Sequence, residues 1–119
     1  ISNRTKKKAE NLKSLFEDLE IIDWGQSCDF DMIINATSLG LKKNDKINLN
    51  FLESKKEKLF YDVIYNPSET SFLKAAKMLG NMTENGKMMF IYQACEAFKI
   101  WHKMIPKIDD KTFEIFAND

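Results

Sequence analysis

Apolar residues Ala9, Leu12, Leu15, Phe16 and Leu19 recur at the spacing of one helix face, which predicts an amphipathic helix over residues 5–19. Ahead of it, Ile1-Ser2 reads as the end of a strand running into a turn. Glu20-Ile21-Ile22-Asp23-Trp24 forms a short strand candidate. Met32-Ile33-Ile34 is a continuous apolar run, the pattern of a strand covered on both faces in a parallel sheet. Residues 41–58 are polar and lysine-rich and predict a loop or a short exposed helix. Leu59-Phe60-Tyr61-Asp62-Val63-Ile64-Tyr65 is the next strand, stopped by Asn66-Pro67. Ser68 or Thr70 can then cap a helix carrying Phe72, Leu73, Ala76 and Leu79, which Gly80 ends. Asn85-Gly86 makes a turn. Beyond it Phe90, Ala94, Ala97, Phe98, Trp101 and Ile105 fall on one face of a long helix closed by Pro106. Asp110 caps a last short helix with Phe113 and Phe116.

Strands alternating with helices predict an α/β fold with a parallel sheet. In open sheets of this class ligands sit beyond the carboxyl ends of the strands. Three polar clusters each follow an apolar strand: Asn3-Arg4-Thr5, Asn35-Ala36-Thr37-Ser38 and Tyr65-Asn66-Pro67. They are therefore expected to gather on one edge of the sheet.

At 119 residues the chain is one domain's length, and a composition of 44% hydrophobic and 30% charged residues is that of a globular protein. Lysine plus arginine equal aspartate plus glutamate at 18 each, so the basic surplus of a general nucleic-acid or membrane-surface binder is absent. Cys28 and Cys95 lie far apart and His102 is the one histidine, so no metal-site spacing can be built and no disulfide framework is expected. A reducing, cytoplasmic setting follows from that cysteine usage. Lys6-Lys7-Lys8 leads into a charged amphipathic stretch rather than an apolar one, which argues against a signal peptide, and no run approaches the roughly 20 apolar residues of a membrane span. A chain that opens mid-element reads as a piece of something larger.

Arg4 is the chain's single arginine beside 17 lysines. A guanidinium offers a planar fork for phosphate and can stack on a purine. Asn3 and Thr5 flank it with hydrogen-bonding groups, Lys8 lies one turn on, and a helix N-terminus favours an anion. These residues suit a phosphate beside an adenine; the alternative is a solvated basic helix start. The small polar residues Asn35-Ala36-Thr37-Ser38-Leu39-Gly40 allow close approach of a ligand to backbone, or else form a capped turn. Tyr65 and Gln93 are neutral hydrogen-bonding groups suited to a polyhydroxylated ligand, or are a packing tyrosine and an ordinary helix-surface glutamine. His102 reads as a surface residue at a helix end, Cys95 as a small buried residue, and Met78, Met82, Met88 and Met89 as filler.

In this order the motifs resemble the C-terminal, nucleotide-binding half of the shikimate dehydrogenases. The matching stretches are Asn3-Arg4-Thr5 with Lys8-Ala9, Ile34-Asn35-Ala36-Thr37-Ser38-x-Gly40, Asp62-x-x-Tyr65-x-Pro67-x-x-Thr70-x-x-Leu73, and Asn85-Gly86-x-x-Met89-x-x-x-Gln93-Ala94 with Ala97-Phe98 and Trp101. That family reduces 3-dehydroshikimate to shikimate with NADPH, on the chorismate route to aromatic amino acids. The resemblance implies a Rossmann-like, doubly wound parallel sheet, here partial and lacking the first strand and its Gly-rich loop. It implies that Asn3, Arg4, Thr5 and Lys8 hold the adenosine 2′-phosphate and that Thr37 and Ser38 line the cofactor groove. Backbone around Val63, Gly86 and Met89 would meet the nicotinamide end of NADP, and Tyr65 and Gln93 would hydrogen-bond the substrate. Lys8 stands where the family often has a second arginine, and Met88 where a glycine is common.

The family's catalytic lysine–aspartate pair belongs to an upstream substrate domain, so no residue of this chain inherits a catalytic role. Residues 1–119 are accordingly expected to be the C-terminal part of an NADP-binding domain, inactive alone and prone to self-association through unpaired strand edges. Its ligands are expected to be NADP and a small-molecule substrate, with no nucleic acid and no membrane as partner. The rivals are a quinate/shikimate dehydrogenase paralogue preferring NAD, which an acidic residue in place of Arg4 would favour, and a non-catalytic α/β nucleotide-binding module.

Overall fold

The computed structural model describes residues 1–26, 28–42, 44, 45, 47 and 56–115. Helix α1 spans Lys6–Lys13, strand β1 Met32–Asn35 and strand β2 Leu59–Asp62. Helix α2 follows over Ser71–Met78, strand β3 over Met82–Glu84, helix α3 over Lys87–His102 and helix α4 over Asp110–Ile115. The three strands form one sheet in the order β1-β2-β3, and both pairings are parallel. Met32 pairs with Leu59 and Asn35 with Asp62; Leu59 in turn pairs with Met82 and Tyr61 with Glu84. The α/β class and parallel sheet read from the sequence are thus present.

The core is small and aromatic. Phe60, Phe72, Leu73 and Ala76 are buried together, with Phe30, Ile33 and Leu79 packed against them. The Phe60 ring meets Phe30 edge-on at 5.8 Å and Phe72 at 5.5 Å. Thr70 caps α2 by accepting from the Leu73 amide, the choice between Ser68 and Thr70 falling to the residue whose side chain is buried. Gly80, at φ +81°, follows the last turn of α2 in the left-handed conformation that suits glycine, so the expected stop is there.

Several boundaries differ from the expectation. The first helix ends at Lys13, well short of 19. Leu15 and Phe16 are 72% and 61% exposed, so this part of the apolar stripe gains little packing among the described residues, and the Ser14 hydroxyl donates to the Asn11 carbonyl as the chain turns away. The 20–24 stretch is not a strand. Among the described residues its backbone ladder with the chain start is one residue long, the Ile1 amino group donating to the Glu20 carbonyl at 2.6 Å and the Ile1 carbonyl accepting from the Ile22 amide at 3.0 Å, while the Ser2 hydroxyl donates to the Asp23 carbonyl. β1 is not covered on both faces: Met32 and Ile34 are half exposed. β2 stops at Asp62, because the Asp62 carboxylate turns back onto the Ile64 amide. β3, which follows the turn after α2, was not expected.

On α3 only Ile91 is buried, and Trp101 and Ile105 on the expected apolar stripe are largely exposed. That helix ends at His102, before Pro106, through Lys103 in the left-handed conformation. α4 is capped by Asp109 rather than Asp110: the Asp109 carboxylate accepts from both the amide and the hydroxyl of Thr112. Phe116 and much of 41–58 lie outside the described residues.

Candidate functional site at the carboxyl edge of the sheet

Because all three strands are parallel, the loops leaving Asn35, Asp62 and Glu84 emerge on the same edge. They carry Thr37 and Ser38, Val63 and Tyr65, and Gly86 respectively. The Val63 amide donates to the Asn35 carbonyl at 3.1 Å and the Gly86 amide to the Ile64 carbonyl at 3.1 Å, so backbone bonds continue the sheet past its last formal pairs. A Cβ on Gly86 would lie 2.0 Å from the Val63 carbonyl oxygen. Only a residue without a side chain lets the start of α3 come this close to the loop after β2.

Between Ile1-Ser2-Asn3 on one side and β1 with its exit loop on the other lies a cavity of about 430 Å³. Asn3 and Thr37 both line it, along with Trp24, Gln26 and Phe72. The first two polar clusters therefore meet across one cavity, as their positions after apolar segments implied. Tyr65 lies instead against α3: its ring stacks on Phe90 with centroids 4.6 Å apart. Gln93, three residues beyond Phe90 on the same helix, is exposed, as is Met89 at 43%.

The basic cluster at the start of α1 divides into engaged and unengaged cations. Lys6 is held by Asp23 at 2.7 Å, and that hydrogen bond and charge raise its pKa above the ordinary lysine value. Lys7 lies 3.8 Å from Glu10. Among the described residues Arg4 and Lys8 have no ion pair, and the first turn of α1 holds no acidic residue. The Asn3 carboxamide accepts from the Thr5 amide at 2.8 Å and so fixes the approach to the helix, while the Thr5 side chain makes no capping bond. The result is an exposed helix start with a guanidinium, an ammonium and a free hydroxyl, a donor set that fits a phosphate.

Thr37 and Ser38 differ in availability. The Thr37 hydroxyl donates to the Asn35 carboxamide oxygen at 2.8 Å and accepts from the Leu39 amide at 3.1 Å, so it shapes its own loop. Ser38 is exposed, with no described hydrogen bond to its hydroxyl. Beneath these loops lies a group the sequence reading gave no role. Asp62 is fully buried and accepts from Asn35 Nδ2, from the Ile64 amide and from the Thr70 hydroxyl. A carboxylate closing an otherwise apolar strand was the sequence signal for it. His102 packs beside Phe98 at the exposed end of α3, Cys28 and Cys95 are free thiols, and no metal-binding cluster exists among the described residues. Nor is any described helix long and apolar enough to cross a membrane.

A parallel sheet with its polar loops on the carboxyl edge, a close glycine contact there and a basic helix start places the chain in the Rossmann-like α/β class. It is a homologue of the shikimate dehydrogenases. It is 60% identical over 115 residues to the shikimate dehydrogenase (NADP(+)) of Pelagibacter ubique strain HTCC1062, covering 97% of this chain and 43% of that protein. The solved shikimate dehydrogenase of Aquifex aeolicus superposes with a TM-score of 0.78 at 34% identity, over 99% of this chain and 43% of that one. A shikimate dehydrogenase solved in complex with NADP+ gives a TM-score of 0.77 at 35% identity, over 90% of this chain and 42% of that one. No protein-family model matches the chain. The chain spans about two fifths of the length of the curated relatives it matches.

Proposed function

We propose that residues 1–119 are the C-terminal part of the NADP-binding domain of a cytoplasmic enzyme that reduces 3-dehydroshikimate to shikimate with NADPH. The likeness to NADP(+)-named shikimate dehydrogenases along 115 residues carries this reading. The geometry supports it: the unengaged Arg4 and Lys8 suit the 2′-phosphate, with Asn3 and Thr5 completing that seat. Thr37 holds the shape of the cofactor groove and Ser38 presents its hydroxyl. Val63, Gly86 and Met89 form the wall for the nicotinamide, and Tyr65 and Gln93 bond the hydroxylated substrate ring. NADPH, when bound, supplies the hydride. The proton is handled outside this chain, by an upstream lysine–aspartate pair. An arginine rather than an acidic residue at position 4 favours NADP over NAD.

The reading is tested by assaying NADP+ reduction with shikimate and with quinate in the whole protein that carries this chain. Turnover with shikimate is expected; a protein that binds NADP+ but oxidises neither alcohol would be the non-catalytic module. Tyr65→Phe and Gln93→Ala are each expected to lower kcat/KM for shikimate by about 2- to 10-fold, the effect of one neutral hydrogen bond, without changing NADP+ affinity. Wild-type kcat/KM in both variants would reduce Tyr65 to its stacking contact on Phe90 and Gln93 to a helix-surface residue.

Produced alone, residues 1–119 are expected neither to oxidise shikimate nor to bind NADPH at micromolar concentration, and to self-associate. The exposed Met32 and Ile34 line the 430 Å³ cavity, and among the described residues no strand pairs with the outer edge of β1. Light scattering after size exclusion, with NADPH titrated by fluorescence, checks this; a monomer that binds NADPH tightly would refute it.

A further inference from the structure

We infer that Asp62 is a positioning residue, fixing the loop that carries Tyr65 against the loop that carries Thr37. This rests on the functional reading above, in which Tyr65 bonds the substrate. Asp62 has no solvent exposure, and its three partners are all neutral donors. A buried carboxylate is costly unless each oxygen is satisfied, so a strand end needing only packing would carry an apolar residue. The partners come from different segments. Asn35 Nδ2 reaches Oδ1 from the end of β1 at 3.1 Å, and the Ile64 amide, one residue before Tyr65, reaches the same oxygen at 3.0 Å. The Thr70 hydroxyl reaches Oδ2 from the start of α2 at 2.6 Å.

The bonds share one direction. The Leu39 amide donates to the Thr37 hydroxyl, Thr37 to the Asn35 oxygen, and Asn35 nitrogen to Asp62. On the other side the Leu73 amide donates to the Thr70 hydroxyl and Thr70 to Asp62. Both chains end on an acceptor-only group. The Asn35 carboxamide is also held within its own loop, Nδ2 donating to the Leu39 carbonyl at 3.0 Å and Oδ1 accepting from the Thr37 amide at 3.1 Å, so it is the Asn35–Asp62 bond that ties that loop to the end of β2. The same Asp62 oxygen fixes the turn that aims Tyr65 onto Phe90.

The test uses the whole protein and variants that keep the shape of the network. Thr70→Val removes the donor to Oδ2, Thr70→Ser keeps it, and Asp62→Asn keeps both bonds at Oδ1 while reversing the one at Oδ2. Thr70→Val and Asp62→Asn are expected to raise KM for shikimate by about 3- to 10-fold with a smaller change in kcat, and Thr70→Ser to restore it. In a Tyr65→Phe background the same Thr70→Val change is expected to add less than about 2-fold, because the two act through one contact. A lowered melting temperature with unchanged KM would make Asp62 a structural group only and overturn the proposal. A KM increase that persists in full in the Tyr65→Phe background would overturn it equally. A folded wild-type protein inert towards shikimate would instead overturn the functional reading, and the positioning role with it.

Discussion

Gly86→Ala is expected to destabilise the fold by about 3 kcal/mol or more, at or beyond the upper end of ordinary overpacking. The new Cβ would meet the Val63 carbonyl oxygen at 2.0 Å and the Val63 carbonyl carbon at 2.5 Å. Both are backbone atoms, so no rotamer change relieves the clash. Either the start of α3 swings away, breaking the Gly86 amide bond to the Ile64 carbonyl, or the loop after β2 moves and loosens Asp62 from the Ile64 amide. The midpoint of chemical denaturation reads the first consequence. NADPH affinity reads the second, since Val63 and Gly86 form the proposed nicotinamide wall. A wild-type midpoint would mean that the two segments have room the structure does not show.

Arg4→Ala is expected to raise KM for NADPH about 10- to 100-fold, the effect of losing a charge-assisted hydrogen bond of roughly 1.5–3 kcal/mol, while leaving KM for NADH unchanged. The proposed contact is to the phosphate that only NADPH carries, away from the nicotinamide, so turnover at saturation should hold. Lys8→Ala should act in the same direction with a smaller effect, because an ammonium lacks the bidentate fork. Lys6→Ala is the internal control: its ammonium is already occupied by Asp23, and KM for NADPH should stay near wild type. Equal losses with NADPH and NADH in Arg4→Ala would remove Arg4 from the phosphate seat.

The elements that were legible in the sequence are those whose signal is local. Thr70 and Gly80 bound α2 because capping and left-handed glycine chemistry act within a few residues. The apolar runs at Met32 and Leu59 found β1 and β2, and their parallel pairing put the polar loops on one edge. What failed depended on partners distant in the chain. The stripe from Ala9 to Leu19 has helical spacing, yet just beyond Lys13 its Leu15 and Phe16 are exposed. β3 is three residues, Met-Thr-Glu, without an apolar run, and exists because β2 offers it an open edge. The division of the lysines into engaged and unengaged depended on Asp23, 17 residues from Lys6. Asp62 stood in a recognised motif, but its role needed Asn35 and Thr70 brought to it by folding.

The uneven distribution of buried side chains has a consequence for how this sequence can drift. Phe60, Asp62, Ile64, Thr70, Phe72, Leu73, Ala76 and Asn81 are all buried and all fall from β2 to the residue before β3. Elsewhere among the described residues only Ala9, Asn35 and Ile91 have buried side chains. Apart from Ala9 and Ile91, substitutions on α1, α3 and α4 change surface that water already reaches, and most such changes shift stability by no more than about 0.5 kcal/mol. At the buried positions of this run a change meets a packed neighbour or an occupied hydrogen bond, whereas its exposed positions, such as Met78 and Met82, meet water. Selection for a folded chain therefore falls on that short run, and the helices around it are left free to diverge except where a ligand holds them.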